Sequence, residues 1–223
     1  MPSRKPRTSH KKPKSKPPRI RLSLDERRTQ LLELGTELFA KYGYDEISID
    51  DLAEAAGIGK GLLYHYFGSK REFYVATVKT ASLRLRQLSV PDRSLPPATR
   101  LANAIDKHLQ YIDAHGAAYA ALYRSGTAVA PEVGAIVEEH RDVIMGYFLE
   151  GMGVTKPRPM LRMALRTWIA MVEGASLDWI AHHAISRDQL RDFLVTGYAA
   201  LLGKTLEMDP KTAEILGHSI WAP

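Results

Sequence analysis

The sequence predicts an all-α protein in two helical parts, and three observations carry that prediction. Serines stand just ahead of apolar runs at Ser23, Ser48, Ser69 and Ser186, where a hydroxyl can accept from an orphan helix N–H. Behind them, apolar residues recur at spacings of three and four, with no convincing alternation of period two. Glycines and prolines punctuate the runs, most densely at Pro91, Pro96 and Pro97.

The elements follow in order. Ser23-Leu24-Asp25-Glu26 reads as a capping box, and Leu31, Leu34 and Leu38 follow at helical spacing until Gly43. Ser48 opens a short second helix, narrow because of Ala53, Ala55 and Ala56, and stopped by Gly57. A third helix runs from about Lys60 to Phe67; Gly68 breaks it, and Ser69 caps a fourth that continues to about Leu88. The proline cluster marks the junction between domains. Beyond it, 98–114 and 116–125 read as helical with the break at Gly116. Pro131 opens a helix to about Glu150. A loop from Gly151 to Pro159, a long helix over 160–184 and a helix from Ser186 to about Gly203 complete the list; 204–223 reads as a tail or a short packed segment. The expected division is a basic arm at 1–22, a first domain at 23–90 and a second at 97–223.

Composition excludes several classes. The chain has 223 residues, 45% apolar and 25% charged, an ordinary globular balance with enough length for a real core. Cysteine is absent, which removes disulfide scaffolds, cysteine-ligated zinc, iron–sulfur clusters and thiol nucleophiles. No run of about 18 uncharged apolar residues exists to span a membrane. No apolar stretch follows the early charges, so no signal peptide is expected. The net charge of +6 is uneven. Residues 1–21 hold nine Lys or Arg and no acid; the rest has 22 basic against 25 acidic residues, a net of −3. Such a proline-rich cationic arm is attracted to nucleic acid, where neutralised phosphates release counterions. A membrane surface or simple solubility are the other readings.

Two short helices joined by a glycine turn and framed by longer helices have the layout of a helix-turn-helix. Leu63 and Phe67, four apart, face inward; Lys60, Gly61, Leu62, Tyr64 and His65 are left for the outer side and flanks. A helix with so thin an outer face can enter the ~12 Å major groove.

Residues 24–80 resemble the DNA-binding domain of the tetracycline-repressor (TetR) family. The stretch from Ser48 to Lys70 carries the likeness, through the ordered set Ala53, Gly57, Gly61, Leu63, Tyr64, Phe67, Ser69 and Lys70; Leu38-Phe39 and Gly43-Tyr44 upstream also fit. The resemblance implies that Ser48 caps the second helix and touches phosphate, and that Tyr64 and Lys70 hold phosphates on either side of the groove. It further implies that Lys60, Gly61 and Leu62 lie near base edges and that His65 reaches a phosphate or a base. Against these stand plainer readings: Tyr64 as a packing aromatic, Lys60 and Lys70 as solvated charges. Arg19 and Arg21 are expected to reach along or into the minor groove, or serve solubility alone. Three positions depart from the family pattern. Gly59 stands where Ser or Thr is usual, and Leu62 replaces a Thr or Ser, offering contact to a thymine methyl. Gly35 replaces an Ala, at ~1 kcal/mol of helix propensity.

By the same resemblance, the second domain senses an effector and dimerises. The helices 160–184 and 187–203 carry Trp168, Leu190, Phe193, Leu194 and Leu201 with small Gly174, Ala175 and Gly197. Two copies of the pair could form a four-helix bundle, or the two could pack within one chain. Pocket candidates are His108, Tyr111, Ile112, Tyr119, Tyr123, Met145, Phe148, Leu149, Trp168 and Met171, a set that suits an apolar or amphipathic small molecule if it is not simply core. Arg124 and Arg162 are candidates to pair with an acidic head group.

Nothing points to catalysis, a cofactor or a metal: no phosphate loop, no nucleophile signature, and His182-His183 point ~100° apart on a helix. The expectation is a cytoplasmic, nucleoid-associated homodimeric regulator on double-stranded DNA. Its half-sites would lie ~34–36 Å apart in a palindromic operator. A repressor is favoured over an activator or a co-repressor-dependent regulator. The rival from another class is an architectural DNA-binding protein acting through its basic arm.

Overall fold

The computed structural model describes residues 23–217, and all their side chains except those of 97–98 and 124–129. Among them the chain forms α1 (Leu24–Glu46), α2 (Ile49–Ala55), α3 (Lys60–Phe67), α4 (Lys70–Leu88), α5 (Pro97–Val129), α6 (Pro131–Gly151), α7 (Pro159–His182), α8 (Arg187–Met208) and α9 (Pro210–Gly217), with no strand. The basic arm, with Arg19 and Arg21, lies outside the described residues.

Caps fix the helix starts. The capping box at Ser23 forms with Glu26, a second forms between Ser48 and Asp51, and a third between Ser186 and Gln189. The α2–α3 turn is a Schellman ending: Ile58 N–H donates to Ala53 O at 3.1 Å and Gly57 N–H to Glu54 O at 2.9 Å. Gly57 sits there at φ +62°, which a side chain would strain.

Several boundaries differ from expectation. Gly43 does break α1, at φ 75° and ψ 168°, but one more helical stretch follows to Glu46. The α5 break falls on His115, whose φ of −129° and ψ of 26° bend the helix one residue before Gly116. A Cβ at Gly116 would lie 3.1 Å from Ile180, so that glycine lets α5 approach α7 rather than end a helix. Helix α8 passes through Gly203 to Met208, because the face bearing Leu194, Tyr198 and Thr205 stays buried. The uncertain tail contains α9, anchored by Thr212 and Leu216; Asp209 accepts from Arg158 Nε at 2.8 Å and from Thr212 Oγ1 at 2.8 Å.

Two apolar cores result. The first gathers Leu31, Phe39, Leu52, Leu63, Phe67, Phe73 and Tyr74, and extends past the proline junction to Leu122 of α5 and Val133, Ile136 and Val137 of α6. The second is built from α5, α7 and α8 around Leu109, Ile112, Leu161, Leu165 and Leu194, with Leu85 of α4 joining it. Helix α4 is also tied to α6 by Arg71–Glu132 at 2.7 Å and Arg86–Glu139 at 2.8 Å. Arg71, Glu132 and Glu139 are exposed, so these pairs set register more than stability.

Candidate nucleic-acid interface and effector cavity

Leu63 and Phe67 anchor α3 from below, and Phe67 packs on Phe73 with ring centroids 4.4 Å apart. The opposite face is left to solvent: Lys60, Gly61 and His65 are exposed, Leu62 is 42% exposed and Tyr64 41%. Tyr64 is therefore not a core aromatic. Ser48 is exposed beside this face, its hydroxyl engaged by Asp51 at 2.6 Å. Lys60 is not simply solvated, because Asp50 of α2 takes its Nζ at 2.9 Å and raises its pKa. Lys70 is half-buried and rests its ammonium 4.3 Å from the Tyr44 ring centroid, a cation–π contact that holds it at the start of α4. Gly59 caps α3 without a side-chain bond.

Two glycines in this unit have opposite surroundings. A Cβ on Gly35 would sit 2.7 Å from Phe73 Cζ and 2.8 Å from Thr77 Oγ1, so glycine there allows α1 and α4 to touch. A Cβ on Gly61 would meet nothing within 4 Å. Nothing among the described residues asks for glycine at this exposed second position of α3.

The second core encloses a cavity of about 360 Å³. Of the ten sequence candidates, His108, Tyr119, Tyr123, Phe148 and Trp168 line it. The other five do not. Ile112 is wholly inside the core, Tyr111 stacks on His115 at 4.6 Å, and Met145 and Leu149 pack against the core elsewhere. Met171 points to Gly197, whose Cβ would lie 2.5 Å from its Cε. Arg162 is exposed and off the cavity, which corrects its reading as a head-group partner; the Arg124 side chain lies outside those described.

One wall is aromatic: Phe148, Trp168 and Tyr198 meet with centroids 5.0–5.4 Å apart, and Trp168 Nε1 donates to Leu194 O at 3.0 Å. A buried polar cluster faces it. The His108 and Tyr119 rings lie 5.7 Å apart, and His108 Nε2 is 3.2 Å from Ser176 Oγ. Tyr123 Oη donates to Glu173 at 3.3 Å, and Arg141 Nε reaches the same carboxylate at 2.9 Å while also pairing with Glu138. Burial, with His140 nearby, pushes His108 down to about 4; burial, with Arg86 and Arg141, pushes His140 down to about 4. Both rings are neutral at neutral pH. Burial also raises Tyr119, Tyr123 and Tyr198, which stay protonated. At the mouth, the segment between α4 and α5 contributes Ser89, Pro91 and Arg93, with Arg93 paired to Glu150.

Sequence reasoning missed His140, Glu173, Ser176 and Tyr198. His140 sits among Glu138, Glu139 and Arg141 and so reads as surface. Its spacing from Val133, Ile136 and Val137 nonetheless puts it on the core face.

The dimerisation candidates divide. Trp168, Leu190 and Leu194 are buried in their own chain, which removes them from any partner surface, because they fill the core between α7 and α8. Gly197 is taken up by Met171. Gly174 is exposed and Phe193 is 59% exposed, while Ala175 and Leu201 are half-buried.

Comparison with known proteins agrees with this layout. Residues 31–77 match the family model of bacterial regulatory proteins of the tetR family, and residues 97–201 match that of the tetracyclin repressor-like C-terminal domain. A tetR-family transcriptional regulator from Streptomyces coelicolor, solved by crystallography, is 33% identical with a TM-score of 0.81, over 88% of this chain and 89% of that one. The transcriptional activator FasR of Mycolicibacterium smegmatis is 32% identical over 122 residues, 53% of this chain and 55% of FasR. The transcriptional repressor KstR2 of Mycobacterium tuberculosis is 32% identical over 101 residues, 44% of this chain and 50% of KstR2. The chain thus spans about half the length of the curated relatives it matches.

Proposed function

The chain belongs to the TetR family of bacterial transcriptional regulators, and from that premise we propose that it is a homodimeric, effector-released repressor of a palindromic operator. The observation that carries this reading is the outer face of α3, where Lys60, Gly61, Leu62 and Tyr64 are exposed above a core anchored by Leu63 and Phe67. The bare Gly61 position favours close approach to a groove. Lys60 leaves Asp50 for DNA, Leu62 contacts a thymine methyl, and Tyr64 and Lys70 hold phosphates. Arg19 and Arg21, with the rest of the basic arm, add minor-groove or backbone contacts.

The exposure of Met163 and Gly174 on α7 and of Phe193 on α8 supports pairing of two copies, which would set the recognition helices ~34–36 Å apart. An apolar or amphipathic effector in the cavity binds the DNA-incompetent state better and shifts the population toward it. Helix α6 suits that coupling: it lines the cavity with His140, Ile144 and Phe148, and grips α4 through Glu132 and Glu139. The protein acts in the cytoplasm, at the nucleoid.

In vitro selection of genomic fragments by the full-length protein, washed at moderate salt, tests the reading. An enriched palindrome is the expected result. Tight binding indifferent to sequence would instead support an architectural role. The likeness to FasR favours one second reading, activation, which transcription from the selected promoter in vitro separates by its sign.

A further inference from the structure

The polar groups in the cavity are matched to one kind of head group. Tyr119 is 3% exposed, and its hydroxyl, near those of Ser176 and Tyr123, forms no hydrogen bond of ordinary geometry. His140 is 9% exposed, and its Nδ1 has no partner. Both residues line the cavity. A buried polar atom left without a partner is costly, so an occupant that supplies one is favoured by about tenfold or more over an occupant that does not.

The charge around these atoms decides which occupant fits. Glu173 lines the same cavity as a buried carboxylate. Its counter-ion Arg141 has every bond directed to Glu173 or Glu138, and Arg141 does not line the cavity. The two histidines near it are neutral. Among the described side chains, the other cation near His140 is Arg86, which pairs with Glu139 at 2.8 Å, leaves its Nε without a partner and does not line the cavity, so the charge that faces an occupant at this end is that of Glu173. The basic lining residues are Arg93 and Arg100, both joined to the segment between α4 and α5. Arg93 pairs with Glu150, and Arg100 donates to Leu95 O at 2.9 Å and Arg93 O at 3.2 Å.

We propose that this cavity takes an apolar molecule bearing a neutral oxygen function, a hydroxyl or a ketone, seated against Tyr119 and His140, and that it rejects a carboxylate there. A ketone oxygen accepts from Tyr119 Oη; a hydroxyl can do so and also donate to His140 Nδ1. An anion would face Glu173 in a desolvated site. Any charged part of a longer effector lies toward Arg93 and Arg100. The assignment rests on reading the cavity as the effector site.

The test titrates the full-length protein with decanol, methyl octyl ketone and decanoate at neutral pH, by calorimetry and by intrinsic tryptophan emission, to which Trp168 in the cavity wall contributes. The alcohol and the ketone are expected to bind at least about tenfold more tightly than decanoate. Tyr119→Phe, which removes one oxygen and keeps the ring, is expected to shrink that preference several-fold. The comparison among probes on the unaltered protein stands even if the variant folds poorly. Decanoate binding as well as the neutral pair, or no binding by any of the three, overturns the assignment. Adding the bound probes to the operator complex separates the two readings. Selective binding without release of DNA upholds the head-group assignment and removes the effector role.

Discussion

The two cores of this protein are built from similar residues toward opposite ends. The first is closed. Phe39, Phe67, Phe73 and Tyr74 interlock with centroids 4.4–5.7 Å apart, and α1 comes close enough to α4 that Gly35 has no room for a methyl. The second is hollow, with Phe148, Trp168 and Tyr198 forming the wall of a 360 Å³ space rather than filling it. A closed core keeps a surface in one shape; a hollow one leaves free energy to be gained by an occupant. The contrast between the floor under α3 and the walls of the cavity is therefore one of packing.

The most damaging test of the closed core is Phe73→Ala. Its ring is buried against Phe39, Phe67 and Gly35, so a loss of about 3–5 kcal/mol is expected in urea unfolding, with operator binding lost in parallel.

The hollow core is vulnerable to acid instead. His108 and His140 are held near 4 when folded, against 6.5 when free, so the unfolded chain binds more protons between those values. Stability is full above pH 6.5 and falls as pH drops toward 4, by up to roughly 1 kcal/mol per pH unit for each histidine. Thermal melts between pH 6.5 and 5 read the slope, and His140→Gln is expected to flatten it by roughly half.

The two glycines sharpen the comparison. Gly35→Ala gains ~1 kcal/mol of helix propensity but overpacks against Phe73, at a cost of about 1–3 kcal/mol. A net fall in melting temperature is expected. Gly61→Ala meets no atom, so melting should hold or rise by up to ~1 kcal/mol of stability while operator affinity falls. An unchanged affinity would mean that the α3 face does not enter a groove closely.

Much of this architecture was legible in the sequence, for local reasons. Caps at Ser23, Ser48 and Ser186, the turn at Gly57 and the i, i+4 pair Leu63–Phe67 are short-range signals that fold as they read. The outer face of α3 was legible because exposure is the complement of that pair. The cavity was not. Which aromatic faces a void and which fills one depends on helix crossings, so Phe148 and Trp168 line the space while Ile112 and Met171, on the same helices as other lining residues, do not. His140 was hidden by its charged neighbours, and the buried ion pair of Glu173 with Arg141 joins positions 32 residues apart. The same limit applied to dimerisation: Leu190 and Leu194 look identical to surface leucines until α7 is seen against them.

The first core does not stop at the prolines. It borrows Leu122 from α5 and Val133, Ile136 and Val137 from α6, which belong to the next part of the chain. Recombination between such regulators is thereby constrained. A crossover near residue 90 would graft one lineage's recognition helix onto another's supporting floor, and the seam would run through packed side chains. The heritable module is the recognition unit together with the α5–α6 corner, so viable hybrids should carry both from one parent.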